Sequence, residues 1–401
     1  MRLERSTPII GSNAERTRLH NRQVVLGLVR RHQPVGRAEI ARQSGLSTQA
    51  VSNIIAELEG EALLSRAGRQ TRGRGLPAVQ YMLNKEGGFA LGIEVRPDAM
   101  FAALVNLAGE PRFTQRVALS CSAPATVTGL ACNLMQQATQ HVGLSPSALL
   151  GVGVVMPGPF GQIGQISLSD AVQSELEGWD GADPVALFEQ ALEAQVVVEN
   201  DATAAAVAER IGGVAQDLKS YCYIYFGAGL GLGVVADGQV MRGAYGNAGE
   251  IGHVIVQSGA GSGRLESFAS RIAVRNHLAA AGLAVENVDD LNRLHRQGNP
   301  HLLAWIKAAA APLSQAIGMV ENLFDPEAVI LGGAMPDALL DDLIAILDLP
   351  DASVARREDR ALPRVLRGAS GRMTAALGGA ALVIHDAFTP RIVARPVREP
   401  I

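Results

Sequence analysis

Tyr221-Cys-Tyr-Ile-Tyr-Phe226 runs without a break into Gly227-Ala-Gly-Leu-Gly-Leu-Gly-Val-Val235, and Asp237-Gly238 follows. Aromatic and β-branched residues, then a glycine-punctuated run and an Asp-Gly turn, read as a buried β-hairpin. The glycines read first as a tight structural turn. The same plan occurs earlier in the chain: Gly88-Phe-Ala-Leu-Gly-Ile-Glu-Val95, a turn at Arg96-Pro97-Asp98, then Met100-Phe-Ala-Ala-Leu-Val-Asn-Leu107. A helical pattern follows each hairpin, over 124–142 and 266–281. Short buried strands are expected at 149–156, 195–199 and 328–332, and an Ala/Gly-rich helix over about 371–388. Strands alternating with helices predict an α/β body. Two hairpin-led halves predict two lobes with a cleft between them, the usual place for a ligand.

Composition limits the alternatives. The chain has 401 residues, 48% of them hydrophobic and 18% charged, so it can bury more than one core and is not a disordered polyelectrolyte. Its formal charge of -4 is unevenly spread. Residues 1–80 hold 13 Arg and 6 acids, a balance of +7, and the remainder holds 22 basic and 33 acidic residues, a balance of -11. A basic head on an acidic body predicts a polyanionic partner for the head. Cys121, Cys132 and Cys222 form no CxxC pair, which suits a reducing compartment better than a disulfide framework. The N-terminus lacks a signal peptide's apolar stretch. No run of about 18 apolar residues is free of charges or breakers, so neither a membrane span nor a membrane partner is expected. A cytoplasmic location follows as an expectation.

The head itself is legible. Residues 18–32 read as an amphipathic helix with Val24, Val25 and Leu28 on one face. Val35 to Leu46 read as a short helix ending at Gly45, a suitable left-handed terminator, after which Ser47 can cap a helix from Thr48 to Glu61 with Val51, Ile54, Ile55 and Leu58 inside. Ala41, Gly45 and Val51 supply a small residue for close approach, a turn and a β-branched plug. Together they predict a helix-turn-helix, whose second helix enters the major groove N-terminus first. Ser47, Thr48, Gln49, Ser52 and Asn53 are then the side chains offered to DNA. Ser65 to Pro77 is basic and glycine-rich, and residues 78–84 read as a strand. That predicts a wing, with Arg72 and Arg74 reaching a minor groove or phosphates. The tail beyond Pro390 is expected to be loose.

Four segments of the body carry a more specific likeness: Gly151-Val-Gly-Val-Val-Met-Pro-Gly-Pro159, Val198-Glu-Asn-Asp-Ala-Thr-Ala-Ala-Ala206, Gly227–Gly233 with Gly243-Ala-Tyr-Gly-Asn-Ala-Gly-Glu-Ile-Gly-His253, and Asp325-Pro-Glu-Ala-Val-Ile-Leu-Gly-Gly333. In this order and spacing, from about residue 20 to 388, the chain resembles the ROK family of repressors, open reading frames and kinases, and most of all its repressor branch. The resemblance implies two actin-like lobes related to hexokinase and ribonuclease H. The expected division is 1–84 for the winged head, 85–200 for a first lobe completed by the C-terminal helix, and 201–370 for a second lobe. It further implies sugar contacts from Asn200, Asp201, Glu250, His253 and Glu266, and homodimers or tetramers. In a family kinase Asp201 would be the general base. A carboxylate there can also simply accept a hydrogen bond from a sugar. Glu199-Asn200-Asp201 reads equally as the cap of an Ala-rich helix.

Two departures from the family pattern shape the functional expectation. Family kinases open the first hairpin with Asp-x-Gly-Gly-Thr to cradle ATP phosphates. Here that place is Glu94-Val-Arg-Pro-Asp98, with no glycine and with one backbone donor removed by Pro97. The family also follows its His with a Cys-x-Cys-Gly-x-x-Gly-Cys zinc loop, whereas the shorter segment after His253 holds no Cys. The chain is therefore expected to be a non-catalytic regulator with no metal and no cofactor. Its expected partners are operator DNA and a sugar or sugar-phosphate effector, and its expected targets are carbohydrate uptake or catabolism genes. The alternatives are a sugar kinase with a fused DNA-binding head, and a regulator controlled by a protein partner.

Overall fold

A computed structural model describes residues 14–70, 78–144, 148–158, 176, 178–179, 181–259, 261–369 and 371–388. The head comprises α1 (Ala14–His32), β1 (Val35–Gly36), α2 (Arg37–Ser44), α3 (Thr48–Gly60), β2 (Leu64–Gln70) and β3 (Ala78–Leu83). Gly45 ends α2 at φ 72°, its N–H bonded to the Ala41 carbonyl. Ser47 caps α3 by accepting a hydrogen bond from Ala50 N at 3.2 Å. Val51, Ile54, Ile55 and Leu58 are buried. The predicted two-helix unit is thus present, with its polar N-terminus outward. The wing strands β2 and β3 pair antiparallel, and β1 adds a third strand that the sequence reading missed because it is two residues long. The wing tip with Arg72 and Arg74, and the tail beyond Pro390, lie outside the described residues.

The body holds two sheets of the same design. The first contains β4 (Phe89–Val95), β5 (Ala99–Asn106), β6 (Pro111–Ala118), β7 (Leu149–Met156) and β8 (Val196–Asn200), with α4 (Pro124–Val142) and α5 (Pro184–Leu192) between its later strands. After α6 (Asp201–Gly212), the second contains β9 (Tyr221–Phe226), β10 (Leu230–Ala236) and β11 (Gln239–Val240). A small hairpin of β12 (Ile255–Ser258) and β13 (Gly261–Arg264) follows, then α7 (Arg271–Ala280), α8 (Val288–Arg296) and α9 (Pro300–Phe324). The second sheet ends with β14 (Ala328–Gly333), α10 (Asp337–Ala345) and β15 (Val365–Arg367), and α11 (Thr374–Phe388) closes the described chain. The sheet orders β6-β5-β4-β7-β8 and β11-β10-β9-β14-β15 are identical when each is numbered from its first strand. In both, three strands form an antiparallel meander and the last two add in parallel. The repeat seen in the two hairpins is therefore a repeat of the whole sheet, giving the two-lobed α/β body. α9 is long and apolar enough to cross a membrane by composition, yet 61% of its most apolar window is buried inside the fold, as in a core helix.

The two halves meet through α6 and α11, which are built from small residues. A Cβ on Gly378 would lie 1.8 Å from the Ala204 carbonyl oxygen of α6, and one on Gly92 of β4 would lie 1.8 Å from that of Ala376. Gly153 of β7 and Gly379 face each other in the same way. Main chain touches main chain at these points, with no space for a side chain. The far end of α11 receives the head: Ala380, Val383, Ile384 and Phe388 share one apolar core with Val25, Leu26, Leu28 and Val29 of α1. Gln23 donates to the Asp386 carbonyl at 2.8 Å, and the Arg30 guanidinium sits 5.2 Å from the Phe388 ring centre.

Local corrections follow from capping and exposure. The helix expected over 266–281 starts only at Arg271, because Ser270 caps it by accepting from Ala273 N, while Leu265–Ser267 form a separate 3-10 turn. The cap expected within Glu199-Asn200-Asp201 is present: Asn200 caps α6, whose first residue is Asp201. β6 escaped notice because it is a half-exposed edge strand with little apolar alternation.

Gly378→Ala should lower stability by ~1–3 kcal/mol in urea unfolding, since the added methyl meets backbone that cannot swing away. Gly129→Ala, in an exposed stretch of α4 with open space around it, should be neutral or stabilise by up to about 1 kcal/mol.

Candidate functional site

Asn200 ends β8 at the edge of the interlobe cleft. Its Oδ1 accepts from Ala202 N at 2.8 Å, which fixes the side chain and leaves its amide nitrogen facing Gly158. A Cβ at Gly158 would stand 2.8 Å from Asn200 Nδ2 and 3.2 Å from Glu250 Oε1, so a glycine here is what lets the amide and the carboxyl approach one another. Asp201, the first residue of α6, also accepts from Ala202 N, at 2.7 Å through Oδ1. Its Oδ2 lies toward Gly227. Capping and a position on the cleft are thus both served by this pair.

The opposite wall comes from the loop after β11. Arg242 donates to the buried Glu199 carboxylate at 2.7 Å, and the Gly249 carbonyl accepts from Leu232 N, so both ends of the loop are fastened. Glu250 follows, then a 3-10 turn Ile251–His253. His253 Nε2 stands 3.8 Å from Glu266 Oε1, and Arg264 Nη1 stands 4.0 Å from the same oxygen. The Glu266 carboxylate also crowds Gly229, where a Cβ would be 2.9 Å away. The glycine run of the second hairpin is therefore more than a turn: it brings the β9–β10 backbone against both Asp201 and Glu266.

Asn200, Asp201, Glu250, His253 and Glu266 all line one cavity of about 800 Å³. Phe268, Asn276, His277 and Trp305 complete its wall. The sequence reading missed these four, since single apolar or polar residues on helices look like core or surface. Burial raises the Glu250 carboxyl above its ordinary value, with Glu266 adding to the rise and His253 opposing it. Three carboxyls, an amide and an imidazole around one apolar-floored cavity form an acceptor-rich surface that matches a compact polyol. None of the three cysteines lines it.

The turn at Arg96-Pro97-Asp98 is organised by the Arg96 side chain. Arg96 donates to Glu94 at 2.5 and 3.0 Å, to the Tyr225 hydroxyl at 3.3 Å and to the Arg372 carbonyl at 3.1 Å. Burial by itself would lower this guanidinium, but Glu94 foremost, with Tyr225 and Asp201, holds it above its ordinary value. The turn itself has no glycine, and Pro97 contributes no N–H, so it offers no backbone nest for a phosphate.

On the head, Ser47, Thr48, Gln49 and Asn53 are exposed at the start of α3 and Ser52 is half-buried. Gln49 Nε2 donates to Asn53 Oδ1 at 3.0 Å, one turn apart on the outer face. Arg72 and Arg74 cannot be placed relative to them, being outside the described residues.

Residues 90–386 match the ROK family, and the chain belongs to it. The xylose repressor of Bacillus subtilis (strain 168) is 25% identical over 317 residues, which span 78% of this chain and 81% of that protein. A crystal structure of a ROK family transcriptional regulator, a homologue of the E. coli MLC protein, covers 94% of this chain and 98% of its own at a TM-score of 0.69 and 23% identity. A ROK family glucokinase from Streptomyces griseus, in complex with glucose and AMPPNP, covers 74% of this chain and 99% of its own, with a TM-score of 0.58 and 24% identity. These likenesses carry the two-lobed fold, the regulator structure over nearly the whole chain.

Because burial raises Glu250 in the folded state, the fold holds that proton more tightly than the unfolded chain does. The associated stability is present below the ordinary carboxyl value of 4.5 and is lost as pH rises through the raised one. Glu250→Gln should therefore raise the melting temperature at pH 7.5 and change it little at pH 4. Equal effects at both would refute the assignment.

Proposed function

We propose that this ROK-family chain is a DNA-binding transcriptional regulator, acting as a repressor of carbohydrate uptake or catabolism genes, with a sugar or sugar phosphate held between its lobes. The observation that carries the reading is the continuity of three parts: a helix-turn-helix head, α1 seated on α11, and α6 packed on α11 with Asn200 and Asp201 at its cleft end. The kinship with a protein named xylose repressor, at 25% identity, supports it. Asn200, Asp201, Glu250, His253 and Glu266 would accept hydrogen bonds from ligand hydroxyls or donate to its ring and carbonyl oxygens. Ser47, Thr48, Gln49, Ser52, Asn53, Arg72 and Arg74 would meet operator DNA. Two heads in a cytoplasmic homodimer would bind paired half-sites, and a change of lobe angle would alter their spacing.

Sugar phosphorylation fits less well. Asp201 could serve as a base, but the turn at Arg96-Pro97-Asp98 has no glycine and one backbone N–H fewer for a phosphate. The chain should show no ATP-dependent turnover with hexoses, pentoses or their N-acetyl derivatives. Turnover that disappears in Asp201→Asn would overturn the regulator reading in favour of an enzyme.

For the DNA face, Asn53→Ala and Arg72→Ala should each weaken binding to the region upstream of the protein's own gene about tenfold, the order expected for one lost base or phosphate contact. Fluorescence anisotropy measures this directly. Unchanged affinity in both variants would remove α3 and the wing from the interface.

A further inference from the structure

On the head, an open groove of about 720 Å³ lies between the start of α2 and the wing strand β3. Its described walls include both Thr48, the first residue of α3, and Ala78, where β3 leaves the wing. The groove therefore occupies the gap between the two elements expected to touch DNA. Its polar lining is His32, Arg37, Gln43, Thr48 and Gln80. Glu39 is the one acid among the described walls, and it already accepts from Arg42 at 3.1 Å and from Gln43. Arg37, the first residue of α2, is exposed. Its Nε donates to the Tyr81 hydroxyl at 2.9 Å, and its Nη2 donates to the same oxygen. Tyr81 is fully buried in β3, the central strand of the head's sheet. One edge of the guanidinium is thus tied to a rigid support. Among the described residues Arg37 makes no other hydrogen bond and no ion pair within 4 Å, so its outer edge keeps three N–H groups for a further acceptor.

We infer that this groove seats one sugar-phosphate strand of the operator, and that Arg37 is the positioning residue that grips a phosphate there and sets how α3 enters the major groove. The inference rests on the DNA-binding reading above and specifies where the backbone lies. In a duplex, one backbone strand separates the major groove from the neighbouring minor groove. A helix in the first and a wing in the second must straddle that strand, which then runs through the gap between them. The gap in this head is the groove. Its volume equals roughly 24 waters at ~30 Å³ each, room for linked sugar-phosphate groups and far more than a single ion needs. Gly36, Ala38 and Ala78 keep it shallow-walled. The free edge of a guanidinium presents paired donors, which match two phosphate oxygens. Because Tyr81 holds the other edge, little side-chain freedom is lost when the phosphate arrives. A contact of this kind carries no base preference of its own but fixes register and orientation for the residues that do.

Anisotropy titrations of the full chain over a range of salt concentrations test this, with two probes: the duplex upstream of its own gene and an unrelated duplex of equal length. Arg37→Gln should weaken binding to both about tenfold and lower the slope of log affinity against log salt by about one. Arg37→Lys should restore most of the slope. Tyr81→Phe keeps the cation and removes its tether, so it should weaken binding less than Arg37→Gln does and leave the slope unchanged. Ethylation interference locates the contact: one or two phosphates on the strand between the two grooves should block the wild type when ethylated and cease to matter in Arg37→Gln. Weaker binding of Arg37→Gln at an unchanged slope, or interference that persists in that variant, would make Arg37 merely structural and overturn the inference. Unchanged affinity in Arg37→Gln beside a loss in Asn53→Ala would overturn the groove and leave α3 at the interface. A wild-type chain that binds neither duplex would contradict both readings.

Discussion

The contact on which the molecule depends is the crossing of α11 over α6 and the strands β4 and β7, where backbone meets backbone. Gly92, Gly153, Gly378 and Gly379 leave no side chain between the elements. Close packing of this kind is stiff, because any added or lost volume has nowhere to go. It fixes where α6 begins, and hence where Asn200 and Asp201 stand. The same helix then runs on to give its last turns to α1 of the head. One rod of small residues therefore touches both lobes and the helix-turn-helix head, and a shift between lobes must either bend it or move the head.

The site uses the other half of the same principle. Glycines 158, 227, 229 and 231 bring main chain within a few ångströms of Asn200, Asp201, Glu250 and Glu266. Acceptors that would repel one another in an apolar interior are held at the edge of a roomy cavity, where hydroxyl donors can satisfy them.

Much of this was legible in the sequence, for physical reasons that differ by element. The hairpins at 88–107 and 221–240 announce themselves through buried apolar runs and turn residues, and the helix-turn-helix through a glycine that must be left-handed. Order and spacing of the glycine motifs carried the family and the five cleft residues. β6 and the β12–β13 hairpin were not legible, because edge strands need no continuous apolar face. A helix start was misplaced where a serine cap, rather than apolar periodicity, sets the boundary, as at Ser270. The walls at Phe268 and Trp305 were invisible because their role comes from residues far away in the chain.

The central claim is that occupancy of the cleft is coupled to DNA binding by the head. The direct measurement is the affinity of the full chain for the DNA upstream of its own gene, by anisotropy at fixed salt, with and without a saturating sugar or sugar phosphate that calorimetry has shown to bind. Coupling of ~1–3 kcal/mol predicts a change in DNA affinity of about 5- to 150-fold, and an equal change in ligand affinity when DNA is present. A bound ligand that leaves DNA affinity unchanged would contradict the account.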